Sequence, residues 1–343
     1  MSRQPEKIEL PPSLPTKPGP IPRKEAFENI ILGIKARAQQ TAEKDLLNLK
    51  NGQLQKLEEI RESKVFVYYS WDMLENVDSE KFFEILDSYD PKIKHIDLFI
   101  LSPGGFSDPA FKIARICQEY TEDNGEFSVL VPHYAKSAAT ILALGADEIV
   151  MGPASELGPI DPQIRIPDRS GRTRPVPLLA LRDALRFIKD EIKEDPSLAS
   201  MYWPQMESVD IMSLGNYNRE IESARQYAME LLKARMFKNN ESMADTAANK
   251  LVECYMDHGY VIDRKEARDN LHLKIVDATP EEWNAMWQLH KIYSSILRDF
   301  LARENTIVSI LETLELTSLR RKRLENFPEE FGLLKEGVVH SEQ

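Results

Sequence analysis

The apolar positions change period near residue 64. Between Lys24 and Ser63, Phe27, Ile30, Ile31 and Ile34, then Leu46, Leu47, Leu54 and Leu57, recur at near-helical spacing in charged sequence. That spacing predicts one or two amphipathic helices. The next stretch, VFVYYSW (65–71), is short, β-branched and aromatic, and reads as a strand. SEKFFEILDSY (79–89) is helical, and HIDLFILS (95–102) is a buried strand running into Pro-Gly-Gly. SDPAFKIARICQEY (107–120) predicts a helix, with Ser107 suited to the N-cap and Pro109 to the first turn. FSVLVP (127–132) is a strand, SAATILALGA (137–146) a short buried helix, and DEIVMG (147–152) a strand. Strands alternating with helices at this interval predict βαβ units and a mostly parallel sheet, an α/β fold.

Beyond Pro175 the periodicity reads as helical to the end, near 177–194, 209–238, 242–257 and 280–317. A turn and a short helix fall within 258–273. The last helix carries Trp283, Trp287, Ile292, Ile296, Phe300, Ile307 and Leu311 on one face, and the RRKR cluster (320–323) suits its C-terminal end. Four parts follow: a proline-rich arm (1–23), accessory helices (24–63), the main domain (64–275), and a C-terminal helix and tail (276–343). Seven of the first 22 residues are proline, so the arm should be disordered or PPII-like.

Composition narrows the classes. With 343 residues, 42% of them hydrophobic, the chain can build one or two cores. The net charge of -12 argues against a nucleic-acid binder, and RRKR reads as a solvated cluster. Cys117 and Cys254 lie far apart and form no C-x-x-C pair, so neither a zinc site nor a disulfide framework is expected. A reducing compartment fits. No apolar leader and no run of about 18 apolar residues is present, so a cytoplasmic protein without stable membrane insertion is expected. No cofactor is implied, and no G-x-x-x-x-G-K-[ST] occurs, so ATP-driven unfolding would have to come from another chain.

Two stretches carry candidate chemistry. SPGG (102–105) should lie at the carboxyl edge of a parallel strand, where α/β sheets bind ligands. Gly104 and Gly105 let backbone approach a substrate and offer N–H groups to an oxyanion. The plain alternative is a strand-to-helix turn. Ser137 opens the helix one βα unit later, beside the small residues Ala138 and Ala139, so its hydroxyl should reach the same edge. Its plain alternative is a helix cap. Together the two stretches supply a nucleophile and an oxyanion hole, the two parts of acyl transfer.

The string from LFILSPGGFSDPAFKIAR through VPHYAKSAATILALGADEIVMGPASELGPIDPQI resembles the SDH (serine dehydrogenase) proteinase family. That family belongs with the Clp-fold serine peptidases related to signal peptide peptidase A. The likeness is close over about residues 65–165 and looser through MSLGNYNREIESARQYAMELL and HGYVIDRKEA. It implies a ClpP/crotonase-like ββα spiral with accessory N- and C-terminal helices. It implies Ser137 as nucleophile, Gly104 and Gly105 as the oxyanion hole, peptide or unfolded-protein substrates, and trimer-based homo-oligomeric rings. Ala139 stands where the family often has glycine, which narrows the site. The base is open. No histidine lies between Tyr134 and Asp257, so a Ser-His-Asp triad in that order is excluded. Lys189 has a spacing from Ser137 like that of the single-domain signal peptide peptidases, and His258 is the alternative base. Lys136 is adjacent to Ser137, but neighbours on a helix face apart. His133 reads as structural. Glu156 and Asp161 would orient a base, bind a substrate amine, or shape the turns of SELGPIDP. The expected function is a serine endopeptidase working through a Ser137 acyl-enzyme. Its rivals are a crotonase-like acyl-CoA enzyme using a carboxylate such as Glu156, and an inactive Clp-fold scaffold.

Overall fold

A computed structural model describes residues 44–89, 93–121, 125–167, 173–207, 211–301, 305–313, 315 and 317–323. The proline-rich arm and the predicted helical positions before residue 44 lie outside the described residues. The chain divides into two units, Met1–Leu49 and Lys50–Gln343. In the first, residues 44–49 are helical.

The second unit opens with helix α1 (50–61) and strand β1 (Lys64–Ser70), then α2 (Asn76–Asp87) and β2 (His95–Leu101). There follow α3 (Ser107–Tyr120), β3 (Glu126–Val131), the two-residue β4 (Tyr134–Ala135) and α4 (Ala138–Ala143). Next come β5 (Glu148–Met151), β6 (Glu156–Leu157), the hairpin β7 (Gln163–Pro167) and β8 (Thr173–Pro177), and α5 (Leu178–Glu194). A 3-10 turn (Pro196–Leu198) leads to α6 (Ala199–Glu207), α7 (Ile211–Ala234), α8 (Glu241–Glu253) and α9 (Arg264–Asp269). The chain then adds β9 (Ile275–Asp277), α10 (Pro280–Leu301), β10 (Asn305–Glu312) and β11 (Thr317–Arg323).

Seven strands form one sheet in the order β11-β10-β1-β2-β3-β5-β9. The five from β1 to β9 pair in parallel, while β10 and β11 run antiparallel at one edge. Strands β1, β2 and β3 are buried at every position but the first, because both sheet faces are covered. Alternate side chains enter different cores. Phe66, Tyr68, Leu98 and Ile100 join the core built with α2, α3, α4, α7 and α8, and Val65, Val67, Tyr69, Phe99 and Leu101 join the core built with α1 and α10. The fold is thus α/β with a mostly parallel sheet, as expected. Among the described residues no helix is long and apolar enough to cross a membrane.

Three local expectations are corrected. The last helix stops at Leu301 instead of running to 317, and RRKR lies on β11, not at a helix end. Ile307 and Leu311 are four apart, which suited a helix; the β-branched run Thr306, Ile307, Val308, Ile310 favours extended backbone, and β1 offers it an unpaired edge. Ser107 is the first helical residue of α3, while Phe106 takes the cap position without a side-chain cap bond. The β7–β8 hairpin, in a stretch rich in arginine and proline, was not foreseen.

A buried ionic cluster joins the elements below the site. The Arg61 guanidinium donates to Asp97 at 2.8 Å, Glu282 at 3.1 Å and Glu148 at 3.4 Å, linking α1 to β2, α10 and β5.

Candidate active site

The Pro-Gly-Gly turn leaves β2 at the carboxyl edge of the sheet and is held on both sides. On one side the Leu74 N–H donates to the Gly104 carbonyl at 2.7 Å, and the Phe106 N–H donates to the Leu74 carbonyl at 3.0 Å. On the other, the Ser102 N–H donates to the Tyr134 carbonyl at 3.3 Å and the Lys136 N–H to the Ser102 carbonyl at 3.0 Å. Both glycines have positive φ, +102° at Gly104 and +150° at Gly105. A Cβ at Gly104 would stand 2.6 Å from the Ser137 Cβ, and one at Gly105 would run into the Leu74 backbone. Only glycine allows this approach.

Ser137 sits across that gap. It occupies the N-cap position of α4 at φ +52°, a conformation rare for a side-chain-bearing residue. Strain of this kind clusters at functional sites. Its side chain makes no cap bond, is partly exposed, and has no hydrogen-bond partner among the described residues. Capping is therefore not what the hydroxyl does. Ala138 and Ala139 are buried and keep the floor narrow.

The amides around the gap differ in what is free. The Gly104 N–H donates to Ser102 Oγ at 3.1 Å. In the bridge to Leu74, the bonded groups belong to Gly104 and Phe106, so the Gly105 N–H faces the other way. The Ala138 N–H, at the first turn of α4, has no acceptor among the described residues, whereas the next amide, that of Ala139, donates to the Lys136 carbonyl. The Ala138 nitrogen lies 3.0 Å from where a Gly104 Cβ would be. Sequence reading gave Ala138 as a small neighbour of Ser137 and not as an N–H donor.

The candidate bases fall in different surroundings. Lys189 stands exposed on α5, with no ion pair or hydrogen bond among the described residues. Lys136 is largely buried and directs its ammonium at Glu156 Oε1 (2.9 Å), the Tyr260 carbonyl (3.2 Å) and the Leu157 carbonyl (3.3 Å). These three acceptors match the three N–H bonds of an ammonium, leaving no lone pair for Ser137. His258 lies 2.5 Å by Nδ1 from Asp161 Oδ1, and the Asp161 side chain is only 4% exposed. With the carboxylate as acceptor, Nδ1 carries the proton, and in the neutral ring the lone pair is on Nε2. Local sequence held no signal for this pairing across 97 positions. The segment reaches the Ser137 rim through the Lys136–Tyr260 bond and the two-way backbone pairing of Leu157 with Ile262, at 2.9 and 3.1 Å.

His133 stacks against His290 and Trp287 of α10, and its Nδ1 is buried without a hydrogen-bond partner among the described residues. Burial and then His133 lower the His290 pKa to about 4. Among the described residues no cluster of three His, Cys, Asp or Glu side chains is placed to hold a metal.

A parallel α/β sheet with a serine-bearing turn facing a glycine pair at its carboxyl edge is a ClpP-like arrangement. Residues 39–170 match the family described as ClpP-like SDH-type serine proteinase, so the resemblance read from the sequence holds over that segment. The uncharacterized protein MJ0137 of Methanocaldococcus jannaschii is 31% identical over 201 residues, 59% of this chain and 60% of that protein. A second uncharacterized protein of the same organism, MJ1495, is 40% identical over 74 residues, 22% of this chain and 24% of the other. The chain thus spans less than two thirds of the length of these relatives. Among solved structures, a serine-to-alanine variant of the 1510-N membrane-bound stomatin-specific protease aligns with 71% of this chain and 87% of its own, at 14% identity and TM-score 0.38. A lysine-to-alanine variant of the same protease, in complex with a substrate peptide, aligns with 63% and 75% at 15% identity and TM-score 0.36.

Proposed function

We propose that the chain is a serine endopeptidase whose nucleophile is Ser137. The observation that carries this reading is the uncapped Ser137 hydroxyl at positive φ, facing the Gly104–Gly105 turn across a gap that admits no Cβ. Ser137 Oγ attacks the peptide carbonyl carbon, and His258 Nε2 accepts the hydroxyl proton while Asp161 holds the ring. The carbonyl oxygen becomes an oxyanion, received by the N–H groups of Gly105 and Ala138. Gly104 contributes its shape and, when its amide turns from Ser102, a third donor. Collapse of the intermediate expels the amine with the proton from His258, and water then hydrolyses the acyl-enzyme.

Substrates are extended peptides, which can pair with backbone beside Gly105. The exposed Phe187, Met201 and Trp203 of α5 and α6 support a homo-oligomeric working form. Glu156, the carboxylate a crotonase-like enzyme would use, is engaged by Lys136.

The test is a fluorophosphonate probe with casein or peptide-library hydrolysis. Labelling should map to Ser137, and Ser137→Ala should abolish both labelling and cleavage. Unlabelled Ser137, with equal activity in both proteins, would return the chain to the scaffold reading. Activity that follows Lys189→Met and survives His258→Gln would reassign the base.

A further inference from the structure

Lys136 is the residue on which three segments of the candidate site converge. Its backbone N–H holds Ser102, its carbonyl accepts the Ala139 N–H at 2.9 Å, and Ser137 is the next residue. Its ammonium reaches Glu156, the Leu157 carbonyl and the Tyr260 carbonyl. A Cβ at Gly158 would stand 2.5 Å from Lys136 Cδ, so the lysine stem runs in a channel that this glycine leaves open. The side chain is 15% exposed, and ordering a buried ammonium costs desolvation and rotamer entropy. A lysine meant only for solubility would point into water.

The 254–262 segment needs an anchor. It leaves α8 at Cys254 and exposes Met256 (98%), Tyr260 (44%) and Val261 (53%). Its bonds to the body among the described residues are few: the Tyr255 hydroxyl to Glu266, His258 to Asp161, the Tyr260 carbonyl to Lys136, and the Leu157–Ile262 pair. Within this set the Lys136 bond alone reaches the residue adjoining Ser137.

We propose that Lys136 is a positioning residue that holds the His258 segment in register with the Ser137 turn. It takes no proton and touches no substrate. It fixes where the base stands relative to the nucleophile. This deepens the peptidase reading and rests on it for the catalytic consequence, though the anchoring itself does not.

Two measurements on the full chain test this. In Lys136→Met, amide hydrogen exchange over residues 256–262 should quicken while exchange in β1, β2 and β3 stays as in the parent. The same variant should lose about 100-fold in kcat, the size expected of an ångström-scale misplacement. Its KM should stay within about twofold, because ground-state binding is untouched. Glu156→Gln, which keeps both carbonyl contacts, is the milder variant should Lys136→Met not fold. It should quicken the same amides and lower kcat by about 3- to 10-fold. Parent-like exchange in 256–262, or quickened exchange with parent kcat, overturns the proposal. If Ser137→Ala is as active as the parent, the peptidase reading falls, and the exchange measurement still decides whether Lys136 anchors the segment.

Discussion

At Gly104 the permitted volume is set by neighbours rather than by the turn alone. An added Cβ meets Ser137 at 2.6 Å and the Lys136 carbonyl oxygen at 2.7 Å, and φ of +102° disfavours any L side chain. Gly104→Ala should therefore push the nucleophile aside, slowing fluorophosphonate labelling by about 100-fold. It should also cost about 1–3 kcal/mol of stability, read by urea titration. His258 and Asp161 act as one unit in the proposed chemistry. His258→Gln should lower kcat/KM by about 100-fold or more. Asp161→Asn should do so too, since an amide no longer favours the tautomer with the Nε2 lone pair free. Equal loss from either substitution, with little further loss in the double variant, would show the coupling.

The elements around the site are joined by a few specific contacts. α10 seats Trp283 against Gly152, just after β5, where a Cβ would stand 1.9 Å from the indole Cε3. Gly152→Ala should overpack that seam and destabilise the fold by about 1–3 kcal/mol, measured by thermal or urea unfolding. Arg61 joins α1, β2, β5 and α10 through three carboxylates. Arg61→Met would leave Asp97, Glu148 and Glu282 crowded together, with the Ser63 hydroxyl (2.6 Å), the Thr279 N–H (2.7 Å) and Lys274 (3.4 Å) left among the described residues to relieve them. A loss of about 3–5 kcal/mol is expected, far beyond that of a surface pair. Helices and strands on the parallel sheet were legible, because their apolar runs are long and their period is clear. The β10–β11 hairpin was not: short segments with apolar residues four apart fit either period, and the open edge of β1 settled it.

For the chain as a whole, the protonation of His290 links stability to pH. Its pKa falls from an ordinary 6.5 to about 4 through burial and the neighbouring His133. The ring faces Tyr69, whose hydroxyl lies 3.0 Å from its Nδ1, and stacks with His133 and Trp287. The folded state therefore binds this proton less readily than the unfolded state. The sign follows: the contribution is present above pH 6.5, is lost as pH falls toward 4, and loses nothing further below that. The unfolding midpoint should drop across that window, and His290→Gln should flatten the drop. An equal slope in the variant would assign the effect to other groups.

Periodicity and composition determined the layers. Runs such as HIDLFIL and EFSVLV can be buried on both faces only as central parallel strands, so local chemistry left little choice. The string around Ser137 likewise carried its own meaning, since a serine and a glycine pair one βα unit apart must reach the same sheet edge. What stands opposite what was decided by packing alone. His258 meets Asp161 97 positions away, and Lys136 turns to the Tyr260 carbonyl instead of to its neighbour Ser137. No pattern along a chain encodes such meetings, because they depend on where distant segments come to rest once the cores have closed.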